Sequence, residues 1–267
     1  MPPLFNRRWW WTTLLVIAAV AVLIRLGIWQ LDRLEQRRAD NAHLVWVEAM
    51  APLELTAQTL TEPLETMEYR AVIVTGEYDL ENEVALRNQA WYGRLGYTLL
   101  TPLKIAGTDI AVLVNRGWVP STDYTPGGDQ TYPARGTLTL TGIIRLSETE
   151  PDFGGRTDPT RQPGESLFAW NFANVEAIAS QIPYPILSVY IQRGPDSSLP
   201  LDFNDWTEAH LPFPSLPKLE ITEGPHLGYA IQWFIFAAIL GIGYPIFLAR
   251  ESKERETSER EKPGFFT

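Results

Sequence analysis

Three side chains at helical spacing near the end of the chain could bind a ligand. His226, Tyr229 and Trp233 stand at positions i, i+3 and i+7, so a helix would place them on one face. A neutral imidazole is a common metal ligand, and aromatic rings beside it would cover a planar, metal-containing molecule. The same residue types also form the aromatic belts found at membrane surfaces. The spacing alone leaves both interpretations open.

These three residues begin a stretch that is long and apolar enough to cross a membrane. No charged residue occurs between Glu223 and Arg250. As a helix, this stretch would extend roughly 30–35 Å, about the thickness of a bilayer's hydrocarbon core. We therefore predict a transmembrane helix at residues 225–248.

A second apolar stretch lies near the start of the chain. We predict a transmembrane helix at residues 11–31, after a short tail at residues 1–10. The alternative is a cleaved signal peptide that ends at the triplet Ala19-Val20-Ala21. The apolar pattern continues past Ala21, which favours a permanent anchor.

Basic residues predict how the chain is oriented in the membrane. Five lysines and arginines follow the second apolar stretch, and the cytoplasmic flanks of membrane helices are enriched in these residues. We therefore expect a multi-pass protein of the cell (inner) membrane with a cytoplasmic tail at residues 249–267. Two spans place the N-terminal tail in the cytoplasm as well and residues 32–224 outside. The arginines around the first span point the other way, but their bias is smaller.

The middle of the chain shows the period-two alternation of β-strands. Pro102 would make its strand an edge or bulged strand, and Asn171 or Asn174 would cap a short helix ending near Gln181. Consecutive short strands with tight turns are typical of antiparallel sheets and small barrels. The expected fold class is a membrane protein with two transmembrane α-helices that flank an α+β, mainly antiparallel β domain. Strands are predicted at residues 70–78, 83–89, 96–105, 109–119, 136–146 and 187–193.

Three connecting segments have a different character. Residues 31–47 predict a solvated helical stalk that leaves the membrane. Residues 147–164 and 194–217 are rich in proline and are predicted to be long surface loops.

Composition argues against several classes of function. The formal net charge of the 267 residues is −10, whereas nucleic-acid binding requires a basic surface. Cysteine is absent, so there is no disulfide framework, no thiolate nucleophile and no cysteine metal site of a copper carrier. No dinucleotide-binding, phosphate-loop, zinc-protease or serine-hydrolase motif occurs. We expect a binding protein, not an enzyme.

Six short motifs occur in a fixed order along nearly the whole chain. They are Gly27-x-Trp29-Gln30-x-x-Arg33, the strand 72–78 with Gly76, Gly96-Tyr97 followed by Thr101-Pro102-Leu103, the run 114–120, a helix around residues 170–179, and His226-Leu227-x-Tyr229-Ala230-x-x-Trp233-Phe234. Together they resemble the surfeit locus protein family of cytochrome c oxidase assembly factors, and their order makes the match specific. One departure is Gly224-Pro225, where members of the family often carry asparagine.

The resemblance implies a role in maturing the haem–copper oxidase by binding haem a and presenting it at the outer membrane surface. The partners implied are cytochrome c oxidase subunit I, the machinery of haem a synthesis and the lipid bilayer. In bacterial members the histidine at the start of the second span is implicated in haem binding. The matching residue is His226, expected as the ligand of the haem iron, with Tyr229 and Trp233 beside the macrocycle.

Three further residues are candidate haem contacts on the same basis. Trp29 and Gln30 would form a second wall at the outer end of the first span, where Gln30 could bond to Gln232 or to a haem substituent. Arg116 could pair with a haem propionate. Each also has an ordinary interpretation: a belt tryptophan, a polar capping group, and a strand-to-turn corner at Gly117.

The residues also permit a function of another class. A membrane-anchored scaffold that stabilises an oxidase assembly intermediate would need no cofactor. A haem absorption band in the purified protein would distinguish the two hypotheses.

Overall fold

The computed structural model describes residues 9–129, 132, 134, 136–149, 157–159, 164–195, 211–214 and 221–260. The first eight residues and much of the two predicted loops lie outside this part of the chain. The chain divides into two compact units, one from residues 1–43 and 220–267 and the other from residues 44–219. The described residues form α1 Trp10–Glu48, β1 Leu53–Leu55, β2 Ala71–Tyr78, β3 Val84–Trp91, β4 Arg94–Ile105, β5 Ala111–Pro120, β6 Leu138–Leu146, β7 Ala169–Trp170, α2 Val175–Ala179, β8 Ile186–Arg193 and α3 His226–Arg260.

The first unit consists of α3 and of α1 as far as His43, and the two helices lie side by side and antiparallel. The hydroxyl groups of Thr12 and Thr13, near the start of α1, each lie 2.9 Å from the hydroxyl of Tyr244, late in α3. Gly27, further along α1, contacts Phe234, which is early in α3. Both helices contain an apolar stretch of membrane-spanning length. The prediction of two apolar helices that flank a β-rich domain is confirmed.

Both long helices extend beyond the predicted apolar stretches. α1 continues without interruption through the predicted stalk, and α3 continues to Arg260. The last part of α3 is rich in glutamate, lysine and arginine, which are good helix formers.

The second unit is built around a closed ring of five strands. β2 pairs with β6, β6 with β8, β8 with β5, β5 with β4, and β4 returns to β2. The ring closes where Gly76 lies opposite Ile105. A Cβ on Gly76 would lie 2.3 Å from the carbonyl oxygen of Lys104, so this close approach requires glycine. Of the two predicted forms, a sheet or a small barrel, the protein thus has the barrel, and β3 with β7 extends it from β4.

The sheet is mainly antiparallel, with parallel pairs where β1 meets β2, β5 meets β8 and β3 meets β7. The strands β1 and β7 have three and two residues, too short for a periodic pattern to predict. The edge alternative for Pro102 is wrong, because β4 has neighbours on both sides. The bulge alternative agrees with the register shift between Leu99 and Leu100.

Two layers of apolar side chains hold the barrel together. Alternate residues of the five ring strands fill its interior, because successive side chains of a strand point to opposite faces. α2 covers the outside of the barrel with Ile178, and Asn174 caps it by accepting a hydrogen bond from the amide of Ala177 at 3.1 Å. The interior residues include Val72, Val74, Leu103, Ile105, Val112, Val114, Leu140, Ile144, Val189 and Ile191.

Candidate functional site

His226 is the first residue of α3, and its ring is held against α1. Its Nδ1 lies 2.8 Å from Oε1 of Gln30, and the side chain is half-buried. A carbonyl oxygen only accepts hydrogen bonds, so Nδ1 carries the proton and donates it. The lone pair of the neutral imidazole is then on Nε2, the nitrogen available to a metal.

The turn before α3 leaves space beside Nε2. Gly224 has a φ of +66°, a left-handed conformation that glycine adopts without steric cost. A Cβ at Gly224 would lie 3.6 Å from Nε2 of His226. Glycine at this position therefore keeps a Cβ away from this side of the imidazole.

Close packing of the two helices sets the distance between His226 and Gln30. A Cβ at Gly27 would lie 2.6 Å from the ring of Phe234, so glycine lets the helix axes approach here. Ala230, one turn after His226, is also buried. These small residues allow the polar pair to meet directly.

The aromatic candidates on α1 and α3 are only partly buried. The side chains of Tyr229 and Trp29 are 47% and 42% exposed, so both present ring surface to a ligand or to lipid. Trp233 is half-buried and packs edge-on against Phe236, with 6.1 Å between ring centroids. Arg33 lies over the ring of Trp29 at 5.8 Å.

Gln30 has a different partner from the glutamine that the sequence suggested. It accepts from His226, whereas Gln232 is exposed on α3. This bond connects the two predicted walls of the site, α1 and α3, through the candidate ligand itself.

Arg116 belongs to the other unit and is 2% exposed. Its Nη1 donates to Oε2 of Glu83 at 2.7 Å, and the hydroxyl of Thr101 donates to the same oxygen at 2.5 Å. Its guanidinium also lies 4.9 Å from the ring centroid of Tyr78. These partners are all internal, which favours the structural interpretation of the 114–120 run and leaves Arg116 outside the site built here. Gly117 has the predicted backbone freedom, with a φ of +129°, but it lies within β5, which ends at Pro120 as predicted.

Three residues of α1 within the predicted stalk also belong to the site's surroundings. Arg37, Arg38 and Asn41 hold the short segment that precedes α3. Two of these contacts go to a backbone carbonyl, and backbone acceptors leave no pattern in a sequence. The third contact, between Arg38 and Glu223, could have been predicted only from their opposite charges.

The arrangement suits a metal that arrives with most of its ligands. Among the described residues no group of three or more His, Asp or Glu side chains is placed to hold a bare ion. A single imidazole with an oriented Nε2 is enough for the axial position of a haem iron, and the exposed aromatic rings suit an apolar macrocycle.

An apolar groove of about 280 Å³, lined by residues that include Thr13, Gly241 and Pro245, lies at the opposite end of the helix pair.

The chain is similar to known proteins over most of its length. The model of the SURF1 family matches residues 17–238, which include Gln30 and His226. A SURF1-like protein of Monosiga brevicollis is 27% identical over 247 residues, which cover 88% of this chain and 86% of that protein. A SURF1-like protein of Caenorhabditis elegans is 33% identical over 153 residues, which cover 50% and 47%. Surfeit locus protein 1 of Homo sapiens is 28% identical over 169 residues, which cover 58% and 54%. The chain thus spans about half the length of the last two relatives.

Proposed function

Because this chain belongs to the SURF1 family, we propose that it is a membrane-anchored assembly factor that binds haem a and presents it to cytochrome c oxidase. The observation that carries the proposal is the bond between Nδ1 of His226 and Oε1 of Gln30 at 2.8 Å. It leaves Nε2 as an oriented, unprotonated nitrogen at the end of an apolar helix. Ferric or ferrous haem iron supplies an axial coordination position that such a nitrogen can fill.

In this proposal each residue of the site has a separate task. Gln30 holds the proton on Nδ1 and fixes the plane of the imidazole. Gly224 keeps the approach to Nε2 open, and Tyr229 and Trp29 offer exposed ring surface that excludes water from an apolar cargo. One protein ligand holds a haem less firmly than two would, which suits a carrier that must release its cargo to subunit I.

The two apolar helices and the flanking charges support a location in the membrane. The proposal places both termini in the cytoplasm and the β-rich unit outside, so that His226 lies at the outer surface of the cell membrane. The machinery of haem a synthesis would then supply the cargo within the membrane, and the exposed aromatic residues would receive it there. No bond of the haem changes in this role.

The test is the absorption spectrum of the full-length protein, purified in mild detergent from cells that make haem a. We expect a Soret band in the wild type and its loss in His226→Ala. His43→Ala is the matched control and should keep the band, because His43 is an exposed histidine on α1 and lies outside the site. A protein without the band contradicts haem binding and favours the cofactor-free scaffold. A His226→Ala variant that keeps the band shows that His226 is not the ligand of the haem iron.

A further inference from the structure

The short segment before α3 is tied to α1 by four hydrogen bonds. Arg38 donates through Nε and Nη2 to the two carboxylate oxygens of Glu223, at 2.8 and 3.0 Å. The carbonyl oxygen of Thr222 accepts from Nδ2 of Asn41 at 3.1 Å and from Nε of Arg37 at 3.3 Å. We call Thr222, Glu223 and Gly224 the strap.

The strap determines where α3 begins. His226 follows Glu223 by three residues, and Gly224 turns the chain between them with its left-handed backbone. A shift of Glu223 away from α1 would move the first turn of α3, which carries the imidazole. The bond between His226 and Gln30 therefore depends on contacts that lie about two to three helical turns further along α1.

We propose that Arg38 and Asn41 are positioning residues that hold the strap on α1 and so keep Nε2 of His226 aimed at the haem iron. This inference rests on the proposed haem-binding function. It adds to that site an ion pair and a buried amide that act through His226 and do not contact the haem. Asn41 is buried and Arg38 is half-exposed. The Asn41 contact is thus partly buried, whereas the Arg38 contact is open to ions of the solvent.

The geometry is more specific than that of an ordinary surface ion pair. The guanidinium binds the carboxylate in the two-pronged arrangement that gives direction as well as attraction. Hydrogen bonding by Arg38 lowers the pKa of Glu223 below its ordinary value, so the pair is ionised at neutral pH. Because both side chains are half-exposed, salt should screen the pair and weaken the positioning.

The test is a titration of the full-length protein in mild detergent with hemin, the ferric form of haem b. Arg38→Glu and Glu223→Arg each place like charges opposite one another, and each should weaken hemin binding about three- to ten-fold. The double reversal restores the pair and should return the affinity to within about two-fold of the wild type. Asn41→Leu should weaken binding about two- to ten-fold, because it leaves the Thr222 carbonyl with one donor fewer.

Arg255→Glu is the matched control. Arg255 forms an exposed ion pair with Glu251 in the last part of α3, so its reversal changes the net charge equally without touching the strap. It should leave hemin affinity unchanged. In 1 M NaCl, the wild type should approach the affinity of Arg38→Glu, while Asn41→Leu should change little further.

A second measurement needs no haem. Nitrogen-15 spectra of histidine-labelled protein should show His226 with its proton on Nδ1 in the wild type and a mixture of tautomers in Arg38→Glu. If hemin binds through His226 and the strap variants match the wild type in affinity and tautomer, the positioning role is wrong and the haem site stands. If the wild type binds no hemin, the proposed function is wrong. In that case an unchanged tautomer of His226 in Arg38→Glu would show that the positioning role is wrong as well.

Discussion

Replacing Gln30 with leucine should separate an oriented haem ligand from a histidine that only belongs to an aromatic belt. Leucine has a similar size and suits an apolar helix, so α1 should remain intact. The substitution removes the oxygen that lies 2.8 Å from Nδ1 of His226. Nδ1–H then has no acceptor, and nothing holds the proton on that nitrogen.

The expected loss of hemin affinity is about ten- to hundred-fold, the usual effect of removing a group that orients a metal-binding histidine. This factor corresponds to about 1.4–2.7 kcal/mol. The same range follows from the cost of leaving one half-buried donor without a partner, about 1–3 kcal/mol. Gln30→Glu keeps an acceptor at the same distance and should retain binding.

The assay is the change in the Soret band as hemin is added to full-length protein in mild detergent. Gln232→Leu is the matched control, because Gln232 is exposed on α3 almost two turns after the start of the helix. It should bind hemin as the wild type does. The reasoning is refuted if Gln30→Leu keeps its affinity within about two-fold while His226→Ala loses it. Equal losses in Gln30→Leu and Gln232→Leu would refute it too.

Two further predictions concern the framework of the units. Arg116→Met should lower the free energy of unfolding by about 3–5 kcal/mol, because it leaves the buried Glu83 carboxylate unpaired. Urea unfolding followed by tryptophan fluorescence measures this change. A loss of less than about 1 kcal/mol would contradict the prediction. Gly27→Val should push against Phe234 and widen the gap between the helices, which should weaken hemin binding. The free-energy cost of such overpacking is about 1–3 kcal/mol. Gly243→Val, which has nothing within 4 Å, should have no such effect in the same titration.

Much of the β-rich unit could be predicted because its signals are local. The alternation of side chains in β2 and β6 shows directly in the sequence, and the turn at Gly107 separates β4 from β5 by its own backbone preference. The bounds of these strands differ from prediction by a few residues at most. The closure of β4 on β2 could not be predicted, since it joins residues 76–78 to 103–105, and alternation does not tell which strands become neighbours.

The candidate site, too, could be predicted only in part. His226 and Gln30 each stood out by residue type and position at the end of an apolar stretch. Their direct bond was not predicted, and Gln232 was considered as the partner of Gln30 instead. Two facing helices can be rotated in several ways that bury a similar apolar area, so hydrophobicity does not select one pair of contacts.

By itself the sequence determined that this protein has two helices of membrane-spanning length, a β-rich unit between them and one histidine at the start of the second helix. These features depend on the length, charge and period of continuous segments. Only the tertiary structure decided which nitrogen of His226 is available, because the tautomer depends on the atom opposite Nδ1. It also decided that Arg116 pairs with Glu83 and that Arg38 pairs with Glu223. An arginine's partner is set by packing across the fold and not by its neighbours in the chain.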